Sequence, residues 1–310
     1  MFQENQEPWI KYSEEPSKKS YFIKNIVRLV IKLSHKKKLE DLRKSFEFTA
    51  KTDKIPTGFT VKETLIDGIN CEWIRPISTK GNKTIIYIHG GGYILGSTAT
   101  SRGFALEISK YIGERVLSVG YKLAPENPFP CALKNCLAVY RKLLNEKLKG
   151  EDIVLIGDSA GGGLCLAMVL ALKESLEPLP SAVVCISPWT DLAFTGESIK
   201  TNLKMDPIFC NGFPAIDPKA YAGKESLKNP LISPLYGDFH GFPPMLIHVG
   251  SDEILLDDSL RLGRKAREKG VDVSLKVWKG MWHVFPTFSN RLPEARQALR
   301  EIADFVNKLP

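Results

Sequence analysis

The chain has 310 residues, 43% of them hydrophobic and 25% charged, with a formal net charge of +8. That length can bury a large core in one α/β domain with a lid, and the composition is that of an ordinary globular protein. It contains no run of 18 uncharged apolar residues, which excludes a spanning helix, and its start, Met-Phe-Gln-Glu-Asn-Gln-Glu-Pro, is too polar for a secretory signal, so a cytoplasmic protein is expected.

Much of the basic excess sits early, in Lys18, Lys19, Lys24, Arg28, Lys32 and Lys36-Lys37-Lys38. Lys24, Arg28 and Lys32 are four apart and form one stripe of a helix, with Phe22, Ile23, Ile26, Val27, Val30, Ile31 and Leu33 on the rest. The reading favoured over a membrane-surface role is a docked helix with a solvated basic face. Aromatic-interleaved basic motifs are missing, so nucleic acid is not an expected partner. The six cysteines form no Cys-x-x-Cys pair and have no His at metal-ligand spacing; they read as reduced structural thiols, with no metal expected.

From Phe59 onward the pattern becomes strand, helix, strand. Segments 59–66 and 69–74 flank Asp67-Gly68, a hairpin turn signal. Apolar strands are expected at 84–89, 116–121, 153–157, 182–187, 245–250 and 273–278, and helices at 101–112, 131–148, 162–174, 257–269 and 293–308. This alternation predicts a mostly parallel eight-stranded sheet with helices on both faces. Residues 57–189 and 230–310 are assigned to the α/β core. Residues 1–56 and 190–229 interrupt the rhythm and are assigned to a cap, because long insertions in compact domains are usually lids or binding loops.

Gly157-Asp158-Ser159-Ala160-Gly161 lies between the strand at 153–156 and a helix-forming run. That is the context of a nucleophile elbow, a turn so sharp that side chains at its two glycines would collide with neighbouring strand and helix. His89-Gly90-Gly91-Gly92-Tyr93 follows the strand at 85–88, and its unshielded amides suit a developing oxyanion. The donors assigned are the amides of Gly91, Gly92 and Ala160. His283, just beyond the last strand, is assigned as the base; His248 reads as a core residue, His240 and His35 as solvated, and His89 as a brace for the glycine loop. Asp252, directly off the strand ending at Val249, is assigned as the acid, with Glu253, Asp257 and Asp258 as competitors. The order Ser159, Asp252, His283 suits a serine hydrolase of the α/β-hydrolase fold. Gly90, Asp158 and Glu126 complete the supporting set.

These residues resemble those of the hormone-sensitive-lipase-like esterases, in the branch whose elbow reads Gly-Asp-Ser-Ala-Gly. The resemblance runs from Thr57 to the C-terminus and includes Tyr121-Lys-Leu-Ala-Pro-Glu126, Ser187-Pro-Trp-Thr-Asp-Leu192, Ser233-Pro-Leu-Tyr236, Gly250-Ser-Asp-Glu253 and His283-Val-Phe285. It implies the same triad and oxyanion donors, a mostly helical cap built partly from the N-terminus, and no cofactor. Similarity of 187–258 to bacterial acetyl-ester and monoterpene ε-lactone hydrolases points to a small ester or lactone as substrate. Many relatives carry Arg where this chain has Lys122, so an ion pair from that position to Glu126 is expected to be weaker. Relatives often dimerise, and the strand at 273–278 is a candidate edge for pairing. A receptor on this fold would lack the histidine that is present here as His283; amide hydrolysis would use the same triad with a different pocket. Activity is expected to fall in acid as His283 protonates near or below neutral pH.

Overall fold

Strands composed of Ile, Val and Leu without interspersed polar residues need cover on both faces. A computed structural model, describing residues 7–34, 38–50, 55–79, 81–210 and 217–310, provides that cover. In chain order the elements are β1 (Ile10–Tyr12), α1 (Lys18–Ser34), α2 (Leu39–Ala50), β2 (Phe59–Ile66), β3 (Ile69–Pro76), β4 (Thr84–Ile88), α3 (Thr98–Ile112), β5 (Arg115–Gly120), α4 (Cys131–Asn145), β6 (Ile153–Asp158), α5 (Ala160–Glu174), β7 (Ala182–Ile186), α6 (Ser198–Thr201), α7 (Pro218–Ala222), β8 (Met245–Gly250), α8 (Leu256–Glu268), β9 (Val273–Trp278) and α9 (Pro293–Asn307). Every residue of β4, β6, β7 and β8 is buried. One core cluster lies between the sheet and α4, α5 and α8; a second joins the other face to α3 and α9. Each large aliphatic side chain buried there contributes about 1.5–3 kcal/mol.

The sheet runs β1-β9-β8-β7-β6-β4-β5-β3-β2. Among the described residues only the pairings of β2 with β3 and β3 with β5 are antiparallel. Asp67 and Gly68 close the first hairpin with φ of 48° and 75°, the positive pair that a two-residue turn requires. Strand order reverses beside β4. The chain leaves β4 for β5 on one side, then crosses back to place β6 on the other. A crevice opens outside the carboxyl ends at such a point. Ile88 pairs in register with Gly157, so the loops that follow β4 and β6 emerge side by side.

Two expectations are corrected here. The sheet has nine strands rather than eight among the described residues, because Ile10–Tyr12 pairs in parallel with Leu275–Val277. The short segment satisfies an edge that would otherwise be open, so β9 is not the edge strand on that side. Two of the three residues in the basic stripe of α1 are also turned inward rather than to solvent. Lys24 pairs with Asp252, and Arg28 donates to the carbonyls of Lys204 and Met205 at 3.3 and 3.2 Å. Beside them Ile23 and Val27 pack on Trp278, Met281, Trp282 and Phe285. Lys24 and Arg28 lie on the docked side of the helix, where a carboxylate and two peptide carbonyls meet them, while Lys32 is exposed. Lys36 and Lys37 lie outside the described residues.

Candidate active site

β6 ends at Asp158 and α5 begins at Ala160, leaving Ser159 alone to make the turn at φ 51°, ψ −121°. A serine held there is strained, and such strain persists only where the surroundings fix it. Its amide donates to Ile186 O at 2.9 Å, and its carbonyl accepts from Gly163 at 3.1 Å and Trp189 at 3.0 Å. A methyl group at Gly157 would overlap the backbone of Gly161, and one at Gly161 would overlap the carbonyl oxygens of Ile88 and His89. Both elbow glycines are therefore required by close approach.

His283 follows β9, at the same sheet edge. Its Nε2 lies 2.9 Å from Ser159 Oγ and its Nδ1 3.1 Å from Glu253 Oε2. The carboxylate that meets the imidazole is thus Glu253, not Asp252. Gly250 to Glu253 forms a tight turn, with the Gly250 amide donating to Glu253 Oε1 at 2.5 Å. That bond folds Glu253 back over the strand end. Asp252, one residue earlier, is carried outward to Lys24 and accepts from Ser251 Oγ at 2.8 Å. Asp257 and Asp258 serve the insertion instead. Asp257 accepts from the Ser198 amide at 2.8 Å, and the buried Asp258 accepts from the amides of Thr190 and Asp191 at 2.7 and 2.8 Å.

Glu253 has further partners that no sequence motif marks out by residue type. Ser187, directly after β7, donates to Glu253 Oε1 at 2.7 Å and accepts from the Val284 amide at 3.1 Å. It links Glu253 to the turn that carries His283. Asn202 donates to the carbonyls of Ser251 and Glu253 at 3.0 and 2.8 Å, and Asp206 accepts from Ile254 N at 3.3 Å. The insertion therefore holds the Ser251–Ile254 turn through three hydrogen bonds. For Ser187 the signal was available, since it opens Ser-Pro-Trp-Thr-Asp-Leu at a strand end. For Asn202 and Asp206 there was none, because irregular chain has no period to read.

Burial dominates the electrostatics. It disfavours the charged imidazolium of His283, but the hydrogen bond and charge of Glu253, with Asp206 and Asp158 beyond, outweigh it and hold the histidine above its ordinary value of about 6.5. Burial also pushes Asp206 up to about 7 and raises Asp158, whose Oδ1 accepts from Tyr87 Oη at 2.7 Å.

Above the serine, Gly91 and Gly92 adopt φ of 111° and 61°. The Gly91 carbonyl accepts from Ile94 at 3.1 Å and Leu95 at 2.9 Å. In a trans peptide the following amide points the opposite way, so the Gly92 N–H is turned out of the loop. Ala160 supplies one of the unpaired amides of the first turn of α5. His89 is buried, stacks on Tyr121 with centroids 4.3 Å apart, and donates from Nδ1 to Gly90 O at 2.7 Å. Burial lowers its pKa to about 4, so it is neutral. A side chain at Gly90 would strike Asp158. Glu126 is held by Arg43 of α2, with bonds of 2.7 and 3.0 Å, rather than from Lys122. Arg43 also donates to Ile94 O and Ala124 O at 2.8 and 2.6 Å, tying α2 to the glycine loop. His248 is buried against Trp278, His240 is exposed, and His35 lies outside the described residues.

A cavity of about 20 Å³ adjoins Ser159 and Gly92, walled by Trp189, Phe194, Phe209, Ile254 and Leu255. A larger hollow of about 430 Å³ lies beside Asp252 and Lys279, away from Ser159 and His283. Among the described residues no cluster of three or more His, Cys, Asp or Glu could hold a metal ion.

Residues 85–287 match a family described as alpha/beta hydrolase fold. An acetyl-hydrolase of Streptomyces hygroscopicus is 38% identical over 252 residues, 81% of this chain and 83% of its own length. An esterase of Acinetobacter venetianus is 39% identical over 243 residues, covering 78% of this chain and 80% of its own. In three dimensions an esterase from the bacterial hormone-sensitive lipase family is similar at a TM-score of 0.88 and 37% identity, over 96% of this chain and 99% of that one.

Proposed function

The chain belongs to the alpha/beta hydrolase fold family and to its hormone-sensitive-lipase-like esterases, and is a carboxylic ester hydrolase; from that premise we propose that Ser159, His283 and Glu253 carry the reaction on small, short-acyl esters. The observation that carries this reading is the relay from Ser159 Oγ to His283 Nε2 at 2.9 Å and from Nδ1 to Glu253 at 3.1 Å. His283 takes the hydroxyl proton as Ser159 attacks the ester carbonyl. The amides of Gly91, Gly92 and Ala160 receive the charge that develops on the carbonyl oxygen. His283 returns the proton to the leaving alcohol, and water then repeats the sequence on the acyl-enzyme. Glu253 fixes the imidazole tautomer and stabilises its charged form without itself becoming protonated.

The confined aromatic cavity beside Ser159 supports acetyl-sized acyl groups. A relative that is named an acetyl-hydrolase supports the same size class. Of the segments expected to form a cap, Ile10–Tyr12 joins the sheet instead; the described residues of the insertion, 190–210 and 217–229, act as the cap, and the bonds of Asn202 and Asp206 to the Glu253 turn support that role.

The test is a series of p-nitrophenyl esters from acetate to octanoate, with small lactones added. The expected profile peaks at acetate or propionate and falls tenfold or more by octanoate, since one methylene is worth about 10–200-fold in a tight pocket. Ser159→Ala should lower every rate by at least about 10³. A flat or rising profile would overturn the short-acyl reading, and a Ser159→Ala enzyme of near-normal activity would overturn the nucleophile.

A further inference from the structure

α1 docks through Ile23 and Val27, yet most of its apolar residues face away from the protein. Phe22 is 67% exposed, Leu29 58%, Val30 54% and Leu33 76%, with Ile26 at 40%. Phe22, Ile26, Leu29 and Leu33 are spaced by four, three and four, so they form a single stripe along the outer face. Exposed apolar side chains scattered singly need no explanation, but a continuous row of this kind marks a contact surface. The helix carries Lys18, Lys19, Lys24, Arg28 and Lys32 and no acidic residue. Lys24 and Arg28 are committed inward, while Lys18 and Lys19 are exposed beside the start of the apolar row.

We propose that α1 is an interfacial helix that seats the enzyme on an anionic lipid surface, with Phe22, Ile26, Leu29, Val30 and Leu33 in the headgroup–acyl boundary. Charge selects this occupant. An apolar face bordered by lysines, on a helix without acids, is complementary to phosphate headgroups above hydrocarbon. A second copy of the same helix is a poor occupant. Parallel pairing sets Lys18 and Lys19 against themselves, antiparallel pairing sets them against Lys32, and neither arrangement supplies a carboxylate. The helix is too short and charged to cross a bilayer, and among the described residues no helix is long and apolar enough to do so. The inner face of α1 packs on Trp282, next to the base, so docking would hold the His283 side of the molecule near the lipid.

The test is co-sedimentation of the full chain with vesicles of phosphatidylcholine alone or mixed equally with phosphatidylglycerol. The expected result is binding to the anionic vesicles at least about tenfold stronger than to the neutral ones, weakening as salt rises. Replacing two outward apolar residues, Phe22→Ser with Leu29→Ser, should abolish binding while turnover of soluble p-nitrophenyl acetate is kept. Lys18→Glu with Lys19→Glu should remove the anionic preference by about tenfold or more. No binding to anionic vesicles would overturn the proposal, as would binding that survives the loss of Phe22 and Leu29. So would a dimer in sedimentation that Leu29→Ser dissociates, because the stripe would then be a contact between copies.

Discussion

The strand-end turns around Ser159 and the N-terminal helix α1 are both built from apolar-rich sequence, yet only the first fixes its own orientation. At the turns, backbone geometry leaves no alternatives. Gly157 and Gly161 have no room for side chains, and the in-register pairing of β4 with β6 forces the glycine loop beside the serine. α1 has no such constraint. It is apolar over much of its circumference, and which side docks is decided by partners far away in sequence, Asp252 and the carbonyls of Lys204 and Met205. Local geometry is legible from local residues, whereas the facing of a helix is a tertiary fact.

The largest effects should come from the turns. Ser187→Ala removes the hydroxyl shared by Glu253 and the Val284 amide, and should lower kcat/KM by about 10–100-fold, since a hydrogen bond to a charged group is worth about 1.5–3 kcal/mol. Steady-state kinetics on p-nitrophenyl acetate checks this. A smaller effect would mean that Gly250 alone suffices to hold the acid.

Next comes the pH profile. In the proposed mechanism His283 works only when neutral, so activity should be lost as pH falls through its pKa, and a raised pKa places that loss above about pH 6.5. Asp206→Asn removes one of the charges that raise it, so the acid limb of kcat/KM should move to lower pH. An unmoved limb would confine Asp206 to its hydrogen bonds with the turn.

The smallest effect belongs to the N-terminal region. Arg43→Ala gives up two carbonyl bonds and an ion pair whose Glu126 partner is 57% exposed, and should cost about 1–2 kcal/mol. A lowered midpoint in a thermal melt, with little change in kcat, is the expected result. A collapse of kcat instead would show that α2 shapes the glycine loop and would place part of the N-terminus in the catalytic unit.

The sheet, its parallel core, the elbow serine, the glycine loop and the histidine could all be read from residue order, because each follows a strand whose apolar run is unmistakable. Position 252 against 253 could not. Both residues are carboxylates at one strand end, and which of them faces His283 depends on how the turn from Gly250 closes. Periodicity has no purchase on a four-residue turn. The ninth strand is not legible for a related reason, since Ile10–Tyr12 is too short to show alternation and forms because β9 offers it an edge.

The acid is therefore the most direct point at which to test the account. Kinetics of Glu253→Gln and Asp252→Asn on p-nitrophenyl acetate, side by side, separate the two carboxylates. Loss of the orienting acid in such a triad costs about 10⁴ in kcat. The account predicts a loss of about that size for Glu253→Gln and a change of no more than a few-fold for Asp252→Asn. The reverse pattern, with Asp252→Asn inactive and Glu253→Gln near normal, would contradict it.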